Sequence, residues 1–204
     1  MEFEEILKRR RMVRAYEPEP IPHEAIERIV ATVLRAPSGG FSQGHRLLVV
    51  TEPETRERIA ELFDEPASVA EGREPWISTA PVLVVVGTRE ESYHERYRRA
   101  DKLQGGDEIE WPVPYWHVDA GAAMMLILLA AIDEGYAAGV FGVPVEHQQT
   151  FKQLLGIPDE VAVVACVTIG RAADDRNWSA VSSRLTQARK SVDELVRWER
   201  WNNV

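Results

Sequence analysis

The feature that most constrains this chain is an apolar stretch at residues 118–132, hydrophobic almost without interruption. It is shorter than the roughly 20 residues a helix needs to cross a membrane. Asp119 lies at its start, and Asp133 and Glu134 follow its end. A helix that is apolar on every side needs protein around it, which predicts a fully buried helix. The rest of the chain must therefore fold around this segment.

Two further apolar runs predict strands that are buried on both faces. Residues 82–86 (VLVVV) and 161–169 (VAVVACVTI) are rich in β-branched side chains and lack polar alternation. Periodicity predicts further strands at residues 47–50 and 139–143, and helices at residues 2–11, 22–35, 53–63, 90–102, 146–155 and 191–201. Residues 64–74 and 103–114 are expected to be loops within one domain. Interleaved helices and buried strands favour helical layers against a sheet, whose strand order the sequence leaves open.

Composition and residue spacing argue against several classes of protein and of site. The 204 residues carry 24 Lys and Arg against 33 Asp and Glu, a formal charge of −9, unlike the basic surface of nucleic-acid binders. No signal peptide opens the chain, so we expect a cytoplasmic protein that binds neither nucleic acid nor membrane. The single Cys166 excludes an intramolecular disulfide, and its apolar surroundings predict a buried, inert thiol. No two histidines have the i, i+3 or i, i+4 spacing of zinc ligands, so no metal site is predicted.

A basic segment at residues 8–14 stands out in this acidic chain, with five cations among its seven residues. Cations at the C-terminal end of a helix complement the helix dipole, so a solvated helix end is one interpretation. The other is an anion site, because a local positive field attracts a phosphate group. The segment alone leaves both interpretations open.

A second segment, residues 36–45 (APSGGFSQGH), joins a predicted helix to a predicted strand. It is longer than the two to six or so residues usual for such a connection. Its glycines let the backbone approach a flat ligand, and Ser38, Ser42 and Gln43 offer hydrogen bonds. A plain connection is the alternative. A third segment, residues 135–142, is also rich in glycine. It lacks the G-x-G-x-x-G order and by itself predicts a helix end followed by a turn.

Taken in order, these segments resemble the FMN-dependent nitroreductase family. The family's Arg-Arg-Ser-x-Arg motif reads RRMVR at residues 10–14, and its Ala-Pro-Ser-x-x-Asn-x-Gln-Pro-Trp motif reads APSGGFSQGH at residues 36–45. An Ala-Pro-Val before a buried strand, the apolar central helix, a Leu-Gly-x-Pro motif and a closing basic motif at Arg189 follow in the family's order. Each motif is weak alone, but the ordered set covers nearly the whole chain.

The resemblance implies an α+β fold with a central mixed β-sheet wrapped by helices. It also implies an intertwined homodimer that binds one FMN at each of two subunit interfaces. Residues 1–204 would form a single nitroreductase-like domain, with residues 103–117 as a candidate lid and residues 189–204 as a C-terminal extension.

The resemblance also implies roles for individual residues. Arg10, Arg11 and Arg189 would hold the phosphate and ribityl end of FMN, and Arg14 would face the pyrimidine edge of its ring. The backbone of residues 37–40 would line the ring, and the backbone near Gly142 would offer an N–H toward N5. The full implied cofactor-binding set is Arg10, Arg11, Met12, Arg14, Pro37, Ser38, Gly39, Gly40, Gln43, Phe141, Gly142 and Arg189.

Three aromatic residues are predicted to contact the substrate: Phe41, Trp111 and Tyr115. The last two lie in residues 110–116, which would form either a lid whose rings stack on an electron acceptor or a packed loop at the dimer interface. The chain departs from the family pattern where Met12 replaces Ser, Phe41 replaces Asn, and Gly44-His45 replaces Pro-Trp.

The activity implied is that of an oxidoreductase. NAD(P)H reduces N5 of the flavin, which then reduces an electron-poor acceptor (a nitroaromatic, quinone or enone) by a ping-pong mechanism. Since the chemistry lies at N5, no catalytic side chain is expected. Two alternatives stay open: a flavin destructase or dehalogenase-like member of the same family, and a flavin-binding protein without turnover.

Overall fold

The apolar stretch forms a helix that packs against all four strands of a sheet in the computed structural model, which describes residues 1–173 and 189–201. The strands are β1 (His45–Val50), β2 (Val82–Thr88), β3 (Ala137–Phe141) and β4 (Ala162–Gly170). The helices are α1 (Phe3–Arg9), α2 (His23–Ala31), α3 (Pro53–Leu62), α4 (Glu65–Ala70), α5 (Glu91–Tyr97), α6 (Tyr115–Asp133), α7 (Gln148–Leu155) and α8 (Val192–Leu195). Short 3₁₀ turns lie at Thr32–Arg35, Gly39–Phe41 and Val145–His147.

The sheet has the order β1-β2-β4-β3, so the two apolar runs, predicted as buried strands, lie at its centre. All seven residues of β2 are buried. The resemblance implies a mixed sheet, but all three pairings among the described residues are antiparallel. Helices around an antiparallel sheet make an α+β fold, which confirms the expected fold class.

The sheet separates two apolar cores. On one face, alternate residues of β2, among them Val84, pack with α6 and α2. On the other face, Leu83 and Val85 pack with α3 and α7. Cys166 of β4 belongs to this second core, and burial raises the pKa of its thiol, as expected of an inert cysteine.

The central helix is longer and less fully buried than predicted. It begins at Tyr115, and its sheet-facing side is buried, but the opposite side leaves Val118 57% and Met125 43% exposed. Among the described residues, α6 is the helix whose length and hydropathy would suffice for a membrane span. Its packing against every strand is that of a core helix.

Four other predictions need correction. The helix predicted at residues 22–35 is α2 followed by a 3₁₀ turn, and Ala36, which Pro37 restricts, is extended. The helix predicted at residues 90–102 ends at Tyr97. The predicted loop at residues 64–74 contains α4, with a proline in its first turn. The terminal helix predicted at residues 191–201 is only the four-residue α8, held by a capping box between Ser191 and Glu194.

The chain divides into two units, Met1–Asp174 and Asp175–Val204. The four strands and the first seven helices belong to the first unit, and α8 belongs to the second. Of the expected extension at residues 189–204, residues 202–204 lie outside the described part of the chain.

A buried carboxylate organises the connection between α4 and β2. Glu65, 5% exposed, accepts hydrogen bonds from three consecutive backbone N–H groups: Trp76 (2.7 Å), Ile77 (2.6 Å) and Ser78 (3.0 Å). Such bonds to a carboxylate are stronger than those between neutral groups. Glu65 therefore fixes the position of Trp76, which lies beside the basic segment.

We expect Glu65→Gln to lower the free energy of unfolding by roughly 1–3 kcal/mol, because a neutral amide weakens all three bonds and turns an NH₂ toward an N–H donor. Chemical denaturation at one protein concentration measures this. The matched control is Glu61→Gln, an exposed residue of α3. Equal stability of the two variants would contradict the role assigned to Glu65.

Candidate functional site

The basic segment begins as a solvated helix end. Lys8 pairs with Glu4 at 2.8 Å and Arg9 pairs with Glu5 at 2.7 Å, both one turn away on α1. These two cations fit the first interpretation of the segment. Arg10 is the first residue beyond the helix, so the implied site residues lie in the extended chain that follows.

That extended chain lies close against β3. The N–H of Val13 donates to the carbonyl of Ala138 (3.0 Å), and the Tyr16 hydroxyl donates to the Val13 carbonyl (2.8 Å) and meets Thr168 Oγ1 at 2.7 Å. A Cβ on Gly139 would lie only 2.3 Å from the Val13 carbonyl oxygen. Gly139 is therefore required for the approach of the chain, a role that the glycine-rich segment 135–142 did not reveal.

A tryptophan joins two of the implied cofactor-binding residues. The Arg14 guanidinium lies 4.9 Å from the centroid of the Trp76 ring, and that ring meets Phe141 edge-on at 5.5 Å. Gly142 follows Phe141 in the chain, and Met12 lies two residues before Arg14. We call Arg10, Arg11, Met12, Arg14, Trp76, Phe141 and Gly142 the arginine group. Sequence reasoning missed Trp76, which lies in no recognised motif.

The second implied group lies before β1, where the chain makes a shaped turn. The Ser38 hydroxyl accepts the N–H of Gln43 (3.0 Å), and the Ser42 hydroxyl donates to the Gly39 carbonyl (2.6 Å). Gly40 has a φ of 58°, and Phe41 and Gln43 also have positive φ values, 60° and 50°. A bulky side chain at positive φ costs energy, so the surrounding protein must hold this turn.

Helix α5 provides that support. Arg96 Nε donates to the Gly40 carbonyl at 2.9 Å. A Cβ on Gly40 would lie 2.6 Å from the Tyr97 ring, and one on Gly44 would lie 2.4 Å from the Tyr93 ring. These two glycines therefore make room for rings of α5. The sequence pattern instead predicts that these glycines let the backbone approach a flat ligand.

The predicted substrate residues lie in different surroundings. Trp111 packs edge-on against Tyr97 at 4.6 Å, and its indole N–H donates to Glu108 at 2.8 Å. It also contacts the rings of Tyr93, His94, Tyr115 and Trp116. Trp111 is therefore packed among rings of α5 and of the first turn of α6, which begins at Tyr115. Phe41 is 73% exposed and Tyr115 is 40% exposed.

We call Pro37–Gln43, together with Trp111 and Tyr115, the loop group. It adjoins β1, whereas the arginine group adjoins β3, and these are the two edges of the sheet. Three strand spacings of about 4.8 Å separate the edges by roughly 14 Å. Arg189 is exposed and belongs to the second unit of the chain, residues 175–204.

An ion pair fastens the candidate lid to α5. Glu108 bonds to the ring of His94 and accepts from Arg98 Nε at 3.0 Å, while His94 also faces Glu90. Burial lowers the pKa of His94, but the bonds to Glu108 and Glu90 outweigh it and the pKa is raised overall. Burial raises the pKa of Glu108, but Trp111 and His94 outweigh it and the pKa is lowered. The pair is therefore charged between these two pKa values.

Comparisons with known proteins agree with the motif order. A family model described as "Nitroreductase family" matches residues 7–171. A relative from Archaeoglobus fulgidus, named "Putative NADH dehydrogenase/NAD(P)H nitroreductase", is 26% identical over 98% of this chain and 100% of its own length. An "Iodotyrosine deiodinase" from Nematostella vectensis is 25% identical over 96% of this chain and 74% of its own.

Solved structures show the same fold. The NADPH:FMN oxidoreductase from Vibrio harveyi, solved in complex with NAD+, superposes with a TM-score of 0.73. The match covers 98% of this chain and 78% of that one, at 19% identity. Such a likeness at low identity establishes the α+β architecture.

We expect the titration of the His94–Glu108 pair to change the surroundings of Trp111 in the candidate lid. Because the pKa of His94 is raised, its charge and the bond to Glu108 persist below the ordinary value of about 6.5 and are lost as pH rises through the raised value. The indole N–H resonance of Trp111, which shares Glu108, should shift with the same midpoint in an NMR titration.

The matched variants are His94→Gln, which should abolish this shift, and His23→Gln, an exposed histidine of α2 that should leave it unchanged. If the Trp111 resonance shifts with the same midpoint in the His94→Gln protein as in the wild type, the candidate lid does not depend on the pair.

Proposed function

Since this chain belongs to the nitroreductase family, we propose that it is an FMN-dependent oxidoreductase with NAD(P)H as electron donor. The acceptor is an electron-poor small molecule such as a nitroaromatic, a quinone or an enone, reduced in a ping-pong sequence. The archaeal relative, named for NADH and NAD(P)H, supports the choice of donor.

One observation carries this proposal: the fold holds Arg14 beside one sheet edge and a braced, partly exposed turn beside the other. Arg14 is held beside the Trp76 ring rather than left in solvent, and Arg10 and Arg11 precede it in the same extended chain. Cations placed in this way fit a phosphate and the electron-rich edge of a flat ring. The residues present therefore fit FMN.

Each group has a defined part in this scheme. Arg10 and Arg11 bind the phosphate, and Arg14 places a positive charge at the pyrimidine edge. The backbone of Pro37–Gly40 lines the ring, and Gln43 offers its amide. Bound FMN supplies N5, through which electrons pass from NAD(P)H to the acceptor. The exposed Phe41 contacts the acceptor, and Trp111 and Tyr115 form the wall beside it.

We further propose a homodimer in which each site takes its arginine group from one chain and its loop group from the other. The two groups adjoin opposite edges of the sheet, β3 and β1, which supports this division. The outer side of α6 and the neighbouring α1 expose Val118, Met125, Phe3 and Leu7, an apolar surface that a second copy would cover. In the second unit of the chain, Leu195, Trp198 and Trp201 are also exposed.

A second candidate activity is reductive dehalogenation. The deiodinase relative supports it, since that protein matches nearly the whole of this chain. The same protein preparation distinguishes the two activities by the product formed from a halogenated phenol or from a nitroaromatic compound. Fragments of FMN after reduction in air would instead indicate a flavin destructase.

We expect the purified chain to bind FMN, to lose its visible flavin absorbance when NADH or NADPH is added under argon, and to regain it on addition of a quinone. Arg14→Met should weaken FMN binding about 10- to 100-fold, the loss expected for one charge-assisted contact. Lys8→Met is the matched control, because it also removes one cation but from an ion pair on α1.

A chain that takes up no FMN would overturn the proposal. Binding of FMN without oxidation of either nucleotide would favour the flavin-binding protein without turnover. Equal FMN affinities of the Arg14→Met and Lys8→Met variants would remove Arg14 from the site.

The dimer makes a separate prediction. The wild-type chain of 23.1 kDa should sediment as a species of about twice that mass, and Met125→Glu should convert it to a monomer by placing a charge in the apolar interface. Val145→Glu, at an 89% exposed residue outside the proposed interface, is the control. A dimer that survives Met125→Glu would show that the exposed side of α6 is not the interface.

A further inference from the structure

A buried carboxylate with no role in the motifs lies directly beneath the loop group. Asp119 is in the second turn of α6 and is 8% exposed. Its Oδ2 accepts two hydrogen bonds, from the Gly39 N–H at 2.9 Å and from the Tyr93 hydroxyl at 2.8 Å. Burying a carboxylate costs free energy unless it is hydrogen-bonded. The two donors therefore stabilise the buried Asp119, and Asp119 in turn fixes their positions.

The two donors come from different elements. Gly39 belongs to the turn before β1, and Tyr93, with 0% exposure, belongs to α5. Burial raises the pKa of Tyr93, and so does the neighbouring Asp119. The hydroxyl therefore stays protonated and remains a donor. One carboxylate oxygen thus joins α6, α5 and the turn at a single point.

The neighbouring histidine does not supply a positive charge. His45 opens β1 next to Gly44, and burial lowers the pKa of its ring against the opposing effect of Asp119. The ring is therefore neutral at neutral pH, and Asp119 depends on its two neutral donors. Loss of either donor leaves a buried carboxylate poorly satisfied, which makes the arrangement rigid.

The bond from Gly39 comes immediately before the strained part of the turn. Gly40 and Phe41 follow with φ values of 58° and 60°, and Arg96 holds the Gly40 carbonyl from α5. The backbone is therefore fixed on both sides of one peptide unit, at the Gly39 N–H and at the Gly40 oxygen. Positive φ at a bulky residue persists only under such constraint.

We infer that Asp119 is a positioning residue: through Gly39 it sets the conformation of the turn that would contact the flavin ring, and through Tyr93 it couples that turn to the aromatic cluster of residues 103–117. The Tyr93 ring meets Trp111 at 6.1 Å and Trp116 at 6.0 Å, which provides the second link. This inference rests on the proposed binding of FMN and extends it to a residue that contacts neither cofactor nor acceptor.

The test compares Asp119→Asn, Tyr93→Phe and a matched control, Asp133→Asn, which removes an exposed carboxylate at the other end of the same helix. Three quantities are measured: the dissociation constant for FMN, the midpoint potential of the bound flavin, and the hydrogen-exchange rate of the Gly39 amide in the flavin-free protein. The exchange rate reports the turn directly, without reference to FMN.

For Asp119→Asn we expect FMN binding weaker by roughly tenfold or more, a shifted potential and faster exchange at Gly39, since a neutral amide weakens both bonds. Tyr93→Phe keeps the ring and removes one donor, so it should act in the same direction and less strongly; it also serves if Asp119→Asn fails to fold. Asp133→Asn should match the wild type in all three measurements.

Wild-type FMN affinity and potential in Asp119→Asn, or unchanged exchange at Gly39, would overturn the inference. If the wild-type chain itself takes up no FMN, the proposed function fails. The exchange rate of Gly39 in the flavin-free variants then still decides whether Asp119 holds the turn.

Discussion

The packing of α6 against the sheet is the constraint on which the rest of the structure depends. Small residues on its inner side, Ala120, Ala123 and Ala131, are 0% exposed, which allows the helix to lie close to the strands. Its N-terminal end carries Asp119 to the turn before β1, and Glu134, just past its C-terminal end, pairs with Arg28 of α2 through two bonds of 2.7 and 2.8 Å. A shift of this helix would therefore move both the core and the site.

The charged groups at the candidate site are also held by specific contacts, although the chain as a whole is acidic. The formal charge of −9 describes the whole molecule, but the segment that carries Arg14 is held by local contacts: the Val13–Ala138 bond and the packing of Arg14 on Trp76. Glu65 in turn fixes Trp76 through its backbone N–H. Two buried carboxylates, Glu65 and Asp119, thus support the two groups on opposite edges of the sheet. In both cases a negative charge deep in the protein orders the backbone that presents the surface groups.

Sequence alone predicted the elements whose burial is nearly complete. The apolar runs predicted the strands β2 and β4, although their central place in the sheet could not be predicted and the first three residues of β4 are not fully buried. The longest apolar stretch became α6, and the exposure of its outer side could not be predicted either. Short or charged elements were missed or overestimated. The helix α4 has six residues and little periodicity, and the exposed tryptophans of residues 191–201 continued a helical pattern that the backbone does not follow beyond Leu195.

The candidate site was likewise predicted only in part. Ordered motifs pointed to the arginines and to the turn, but the contacts that shape them join residues far apart in sequence, such as Gly39 with Asp119, and no local pattern encodes such a pair. Phe41 illustrates the point. The resemblance places Asn there, a residue that tolerates positive φ, whereas this chain keeps a bulky, 73% exposed ring at a φ of 60°. Since the side chain of Phe41 opposes that conformation and has little packing to offset the cost, the turn is held by what lies beneath it. Its shape therefore depends on α5 and α6, through Arg96, Tyr93 and Asp119, in addition to the hydrogen bonds that Ser38 and Ser42 make within the turn.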